Sequence, residues 1–304
     1  MKIMRNFYFF TFISILLLLL NGCGNPSGKK GMASTTTDLA NKEKVLKDSV
    51  LPKTIGIEKI APGQKKHQSP IKRVEKLPKE NIESDLPDFA KISNVTEKKR
   101  KFFSFMRPSV IAENRHIIDE RNFVANCYEK YKKGEDISGA DKNKLKKMAA
   151  NYRIEHTDFS NNLAYDDLMV HVDIIPAGLA LTQAALESAW GTSYFSRKVN
   201  NIFGQWCFEP GCGVVPRRRP SGETYEVMVF DSVSQSVRSY MLFLNSHPFF
   251  SQMRQSRLSN RKKDEKPSAY LMAGGLSKYS ARGDVYVNEL RSMIKTNTKY
   301  MGLD

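Results

Sequence analysis

The chain has 304 residues, of which 40% are hydrophobic and 26% charged, and its formal net charge at pH 7 is +16. This length suits one substantial domain with a tail, and the basic balance favours polyanionic partners such as nucleic acid, acidic lipids or anionic wall polymers. The five histidines show no paired-ligand spacing, so we expect neither a metal site nor any other cofactor.

The first residues have the pattern of an export signal. Lys2 and Arg5 precede an apolar run, residues 7–20, that is shorter than the roughly 20 residues needed to span a bilayer. The run ends in Leu-Asn-Gly-Cys, which is similar to the lipobox of bacterial lipoproteins, so we predict a lipoprotein signal peptide over residues 1–22 and lipidation of Cys23. A plain cleaved signal or an uncleaved anchor is the alternative. The protein is exported under each of these interpretations, which argues against nucleic acid as a partner. We expect a lipid anchor in the outer membrane, facing the periplasm.

The region after the signal divides into a polar segment and a helical one. Residues 23–84 are rich in Lys, Ser, Thr, Gly and Pro and cannot bury enough apolar surface to fold, which predicts a flexible basic tether. Apolar residues recur at helical intervals over residues 94–131, with an interruption at Pro108, and residues 138–152 predict another helix. We expect these helices to form an N-terminal scaffold over residues 85–165.

A buried helix with one carboxylate follows. Residues 177–189 are almost wholly apolar or small, come directly after Pro176 and stop before Gly191, a pattern typical of a helix buried on all sides. Its one ionisable residue is Glu187. Burial and the negative end of the helix dipole both disfavour the ionised carboxylate, and a general acid must be protonated near neutral pH. An exposed Glu at a helix end, or one paired with a base such as Arg197, is the alternative.

Two motifs surround this glutamate. Glu-Ser-Ala-Trp-Gly occupies residues 187–191 and Asn-Asn-Ile-Phe-Gly occupies residues 200–204. Together they resemble the glucosaminidase domain of glycoside hydrolase family 73, and residues 205–216 are similar to its bacterial Bax-type subgroup. The resemblance implies an α+β, mainly α, lysozyme-like domain over residues 166–304. This domain would include a small β-lobe. It also implies a cleft for the peptidoglycan strand, the alternating polymer of N-acetylglucosamine and N-acetylmuramic acid.

The resemblance also implies roles for individual residues. Glu187 would present its carboxyl group at the cleft, with Trp190 and Phe203 beneath it as substrate-binding aromatics. A core aromatic is the alternative for Trp190, since Trp is usually largely buried. Asn201 would either hold its turn or bind an acetamido group of the sugar. Tyr279 matches the family's active-site tyrosine best, with a packing tyrosine as the alternative.

The second catalytic carboxylate of many family members is missing from its expected place, which falls near Arg217 and Arg218. Residues 224–230 predict a β-strand that offers Glu226 as the candidate partner, with Glu223 just before it; both are otherwise ordinary hairpin residues. A second carboxylate would activate water or act as nucleophile. Without one, the N-acetyl oxygen of the substrate could attack the anomeric carbon.

Two further features lie in the same stretch of chain. Arg218, within a run of three arginines, suits recognition of muramyl or stem-peptide carboxylates, and a solvated basic loop is the alternative. Cys207 and Cys212 bracket a short turn, and an oxidising periplasm would favour a disulfide between them; two free thiols are the alternative.

We therefore predict a peptidoglycan hydrolase that acts as an endo-β-N-acetylglucosaminidase with Glu187 as general acid. A lytic transglycosylase would need one catalytic glutamate, so the missing second carboxylate keeps that activity open. A wall-binding lipoprotein without catalysis is the alternative of another class, and the intact motif around Glu187 argues against it.

Overall fold

The computed structural model describes residues 85–303, so the predicted signal, Cys23 and the tether lie outside the described residues. The α-helices of this part are α1 (Val95–Lys132), α2 (Gly139–Asn151), α3 (Asn162–His171), α4 (Ala177–Glu187), α5 (Tyr194–Val199), α6 (Val233–Ser246), α7 (Ser251–Lys262), α8 (Ala269–Ala273) and α9 (Asp284–Asn297). Its strands are β1 (Trp206–Cys207), β2 (Gly213–Val214) and β3 (Glu226–Met228). The predicted α+β, mainly α, class is confirmed. Among the described residues, no helix has both the length and the apolar character needed to cross a membrane.

The longest helix, α1, runs without a break past Pro108, so the predicted interruption there is wrong. A proline inside a helix removes a hydrogen bond and costs about 3 kcal/mol. The helix buries Phe103 and Met106 before the proline, and Val110 and Ile117 after it. Because the same face stays packed on both sides of the proline, burial offsets that cost.

Helix α4 lies at the centre of the core. It contacts α1, α8 and α9, and every residue from 179 to 185 is buried. This environment explains why its sequence is apolar on all sides. The carboxylate at its C-terminus is therefore held by a helix with packing on several faces.

A buried ion-pair cluster fixes the segment that leads into α4. The Asp173 carboxylate lies 2.8 Å from Arg261 Nη2, 3.6 Å from Arg121 Nη1 and 3.9 Å from Arg257 Nε. The Arg257 guanidinium also donates to the carbonyl groups of this segment, those of Val170, His171, Asp173 and Ile174. Burial alone would raise the pKa of Asp173, but the three arginines outweigh it and hold the pKa at about 2.

The strands form a small antiparallel sheet in the order β1-β3-β2. Trp206 of β1 and Val214 of β2 both lie opposite Val227 of β3, so these three side chains share one face. Cys207 and Glu226 belong to the other face. β2 and β3 pair as a hairpin, and a disulfide joins Cys207 of β1 to Cys212, directly before β2.

Candidate active site

Helix α4 ends at Glu187 in a tight left-handed turn. All three residues of 189–191 have positive φ angles, between 50° and 74°, a conformation that costs energy for non-glycine residues. Ser188 supports the turn, since its Oγ accepts from the Gly191 amide at 2.8 Å. A Cβ at Gly191 would lie 2.6 Å from the Phe89 ring. The motif after Glu187 thus stops the helix, two residues earlier than predicted, and leaves the glutamate at its end.

The environment of Glu187 favours its neutral form. The side chain is partly buried, and desolvation raises the pKa of its carboxyl group to about 7. A hydrogen bond from Tyr286 and the positive charge of Arg282 oppose this rise without cancelling it. Arg282 is itself paired with Glu289 at 2.6 Å, whose negative charge acts in the opposite direction. The raised pKa keeps more of Glu187 protonated near neutral pH, and the protonated form is the one that a general acid needs.

A chain of hydrogen bonds connects Glu187 to the core. Tyr286 Oη donates to Glu187 Oε1 at 2.9 Å, and Gln183 Nε2 donates to Tyr286 Oη at 2.8 Å. Tyr240 Oη in turn donates to Gln183 Oε1 at 2.6 Å. Gln183 lies one turn before Glu187 on the same face of α4. The side chains of Gln183, Tyr240 and Tyr286 are all buried, so protein groups alone set the arrangement.

Tyr279, the predicted site tyrosine, lies near Glu187 but makes its hydrogen bond elsewhere. Its hydroxyl donates to the Phe203 carbonyl at 3.2 Å, and its ring stacks on Tyr286 with centroids 5.7 Å apart. Burial, and then the nearby Glu187 carboxylate, raise the pKa of Tyr279 well above its usual value. Phe203 stacks on Tyr240 at 3.8 Å. Tyr279 and Phe203 are therefore parts of the aromatic wall behind the carboxylate.

The polar atoms of Asn201 and the ring of Trp190 are occupied by the protein. Asn201 Nδ2 donates to the carbonyls of Gln205 and Met228 at 2.8 and 2.9 Å, and its Oδ1 accepts from the Gln205 amide. Trp190 packs edge-on against Phe103, with ring centroids 5.3 Å apart. Asn201 thus holds the turn that leads into the sheet, and Trp190 fastens the turn after α4 to α1.

Glu226, the candidate second carboxylate, is held within the hairpin. Its two oxygens accept from the amides of Gly211 and Gly213 at 3.0 and 2.8 Å, and these bonds lower its pKa. Glu223 and Arg218 are exposed. Within residues 85–303, no hydrogen bond or ion pair joins any of these three side chains to Glu187. These contacts give Glu226 a structural role, since its carboxylate holds the backbone around Gly211 and Gly213 in place.

Cys207, Cys212 and Glu226 are the one group of potential metal ligands that lie close together in the described part of the chain. Their donor atoms are already in use, because the two sulfurs are bonded to each other and the carboxylate accepts two amide hydrogen bonds. To bind a metal ion, these three residues would have to offer two thiolates and a free carboxylate oxygen. The cluster in its disulfide form does not fit a metal ion.

Comparisons with known proteins agree with this geometry. A family model described as "Mannosyl-glycoprotein endo-beta-N-acetylglucosaminidase" matches residues 162–299, which include α4, the sheet and Tyr286. The chain is also 34% identical over 216 residues to "Protein bax" of Escherichia coli (strain K12), with 71% of this chain and 76% of that protein covered. The chain belongs to the glucosaminidase family. No solved structure matches it.

The family resemblance found in the two motifs is thereby confirmed, and a glucosaminidase domain implies a glycan-cleaving hydrolase. Sequence reasoning missed the three side chains of the hydrogen-bond chain behind Glu187, those of Gln183, Tyr240 and Tyr286. The four-residue spacing of Gln183 and Glu187 could have revealed that both share a helix face. No local signal indicated Tyr286, because its contact with Glu187 depends on how α9 packs against α4.

Proposed function

We propose that this glucosaminidase domain is a peptidoglycan hydrolase that cleaves the β-1,4 bond on the reducing side of N-acetylglucosamine. The observation that carries the proposal is the state of Glu187. Its carboxyl group sits at the end of a buried helix, and burial raises its pKa to about 7. A carboxyl group with such a pKa can be protonated when substrate binds and can still lose its proton during the reaction.

The first step is protonation of the leaving group. Glu187 gives its proton to the glycosidic oxygen while the bond from that oxygen to C1 of N-acetylglucosamine breaks, so the muramic acid residue leaves with a 4-hydroxyl group. The resulting carboxylate is stabilised by the hydrogen bond from Tyr286. Water then adds its hydroxyl group to C1, and its proton returns to Glu187.

The arrangement favours a substrate-assisted route at the anomeric carbon. The Glu226 carboxylate is bound by two hairpin amides, and Glu223 is exposed. We therefore infer that the N-acetyl oxygen of the substrate attacks C1 as the glycosidic bond breaks. Water then opens this cyclic intermediate and restores the acetamido group, and the configuration at C1 is retained.

A lytic transglycosylase is the second candidate, since this reaction also needs no second carboxylate and Glu226 is held by the hairpin amides. Such an enzyme would also use Glu187 to protonate the leaving oxygen, but at the bond on the reducing side of the muramic acid residue. The 6-hydroxyl group of that muramic acid residue would then attack its C1, give its proton to the Glu187 carboxylate and close an anhydro ring. A wall-binding lipoprotein without catalysis remains the alternative of another class.

One experiment separates these functions. The full chain, purified in detergent, would be incubated with peptidoglycan, and the released fragments identified by mass spectrometry beside Glu187→Gln and the exposed control Glu209→Gln. Reducing N-acetylglucosamine ends that are lost only in Glu187→Gln would support the proposal. Anhydro-muramic ends would favour the transglycosylase. Wall binding without any release would contradict both catalytic functions.

We also propose that the protein is exported and anchored by a lipid on Cys23, facing the periplasm from the outer membrane. The support is the export pattern of residues 1–22 and the cysteine that follows it. Labelling of cells with a radioactive fatty acid should mark the wild-type protein and leave Cys23→Ser unlabelled. A label that persists in the variant, or is absent from both proteins, would rule out lipidation at this cysteine.

A further inference from the structure

The hydrogen bonds that connect Glu187 to the core run in one donor-to-acceptor direction. Tyr240, the residue farthest along this chain from Glu187, determines that direction. Tyr240 is fully buried, and within the described residues its hydroxyl has one hydrogen-bond partner, Gln183 Oε1 at 2.6 Å. A buried O–H group with a single available partner donates to it, since an unpaired buried donor is rarer than an unfilled lone pair. Tyr240 therefore turns the amide oxygen of Gln183 toward itself.

The orientation of the Gln183 amide in turn determines whether Tyr286 donates to Glu187 or accepts from it. With the amide oxygen facing Tyr240, the amide nitrogen faces Tyr286, and an amide nitrogen can only donate. The Tyr286 oxygen accepts this hydrogen bond at 2.8 Å, so the one hydroxyl proton of Tyr286 is left to donate to Glu187. In the reverse direction, Glu187 would donate to Tyr286, and the O–H of Tyr240 would lack an acceptor.

We propose that Gln183 and Tyr240 are positioning residues that make Glu187 Oε1 a permanent hydrogen-bond acceptor, so that Oε2 carries the proton delivered to the leaving oxygen. This inference rests on the proposed role of Glu187 as general acid. Ring stacking holds the side chains of Tyr240 and Tyr286 in place, because Tyr240 stacks on Phe203 and Tyr286 stacks on Tyr279. The residues thus select one of the two carboxyl oxygens before substrate arrives.

The other groups that face Glu187 do not supply this direction. Arg282 lies over the Tyr286 ring at 5.6 Å and is paired with Glu289, and both act on Glu187 through their charge. Tyr279 donates its hydrogen bond to the Phe203 carbonyl. Tyr279 therefore offers a matched control: its hydroxyl group is buried near Glu187, but outside the hydrogen-bond chain.

The test measures the pKa of Glu187 directly. The full chain, labelled with ¹³C at the glutamate carboxyl carbons, is titrated by NMR, and the Glu187 resonance is assigned from its loss in Glu187→Gln. Gln183→Met removes both hydrogen bonds at similar volume, and Tyr240→Phe removes only the terminal donor. Either change lets the O–H bond of Tyr286 rotate, so that the Tyr286 oxygen accepts a hydrogen bond from neutral Glu187. We expect the pKa of Glu187 to rise by about one unit in Gln183→Met and about half a unit in Tyr240→Phe.

The control variant at Tyr279 distinguishes an effect of hydrogen-bond direction on the pKa of Glu187 from an effect of altered packing. Tyr279→Phe should leave the pKa of Glu187 within about 0.2 units of the wild-type value, although it too removes a buried hydroxyl group. If Gln183→Met and Tyr240→Phe shift the pKa no more than Tyr279→Phe does, the proposal is overturned. Should Gln183→Met fail to unfold cooperatively, Tyr240→Phe carries the test, since it removes a single oxygen atom.

The titration also keeps this inference separate from the proposed function. Shifts in the pKa without any release of glycan fragments would contradict the catalytic function and the delivery of a proton, while the direction of the hydrogen bonds would stand. Release that depends on Glu187, with no shift in either variant, would overturn the positioning role alone. In an active enzyme, the alkaline limb of the pH–rate profile should move upward with the pKa.

Discussion

Tyr286 donates a hydrogen bond of 2.9 Å to Oε1 of Glu187 across a sequence separation of 99 residues. The contact joins the third residue of α9 to the last residue of α4. Because the same hydroxyl oxygen accepts from Gln183, the carboxyl group is fixed to its own helix as well as to α9. The orientation of Glu187 therefore depends on how the C-terminal helix packs.

Replacement of Tyr286 by phenylalanine should raise the pKa of Glu187 above its value of about 7. The lost hydrogen bond stabilises the ionised carboxylate, so its removal favours the protonated form by about one pKa unit. A general acid works while protonated, and the alkaline limb of the pH–rate profile should move upward by that amount. Glycan release measured from about pH 5 to 9 checks this, and a limb that moves downward would contradict the hydrogen-bond assignment.

Replacement of Glu187 by glutamine should stabilise the folded protein at alkaline pH. The ordinary pKa of a glutamate carboxyl group is 4.5, and burial raises the pKa of Glu187 to about 7 in the folded state. Between these two pH values the folded state therefore holds a proton that the unfolded chain has released. The folded protein is therefore stabilised by the protonated form of Glu187 at acid pH, and this contribution to the free energy of unfolding is lost as pH rises through 7. We expect Glu187→Gln to gain about 2 kcal/mol in the free energy of unfolding near pH 8.

The same comparison near pH 4 supplies the control for Glu187→Gln. Both folded and unfolded wild-type chains are then mostly protonated at this position, so the variant and the wild type should have equal stability within error. Denaturant titrations at the two pH values measure the difference. Equal stability near pH 8 as well would mean that burial does not raise the pKa of Glu187.

Replacement of Glu226 by glutamine should leave most of the glycan-cleaving activity intact. Its carboxylate accepts from the amides of Gly211 and Gly213, so its loss loosens the hairpin rather than removing a reacting group. We expect a decrease in release of less than about tenfold, compared with at least about 100-fold for the general acid in Glu187→Gln. Equal losses in the two variants would make Glu226 a catalytic residue.

Replacement of Asp173 by asparagine should lower the free energy of unfolding by about 3–5 kcal/mol near pH 7, because buried arginines lose their counter-charge. The pKa of Asp173 in the folded state, about 2, lies below its ordinary value of 3.8. The stability that Asp173 contributes is therefore lost as pH falls from about 4 to 2, where the difference between wild type and variant should shrink. Glu97→Gln is the control, since its pair with Lys101 is exposed and should change stability by less than about 1 kcal/mol.

The buried helix and its glutamate could be predicted because their signals are local. The run of apolar residues in α4, the turn at Gly191 and the position of Glu187 all follow from neighbouring residues in the chain. The partner of Glu187 could not be predicted in this way. The family resemblance indicated Tyr279, yet packing of α9 brings the hydroxyl of Tyr286 to the carboxylate.

Pro108 and Asn201 illustrate the same limit. Local rules predict a break at Pro108, but α1 stays helical because its buried face continues on both sides. Asn201 had two open roles, and only the three-dimensional contact with the Met228 carbonyl assigns its amide to the turn. Sequence patterns thus give the elements and their chemistry, while contacts between distant elements decide which side chains meet.

Replacement of Gly191 by alanine should test how strictly the turn after Glu187 requires glycine. Its φ angle is +74°, and a Cβ there would lie 2.6 Å from the Phe89 ring, so the variant should lose about 3 kcal/mol of stability from strain and overlap. Gly134→Ala is a matched control, with a φ angle of +70° and no atom within 4 Å of the added Cβ. It should lose about 1 kcal/mol. Equal losses in denaturant titrations would mean that the Phe89 ring moves aside and that the backbone conformation alone selects glycine.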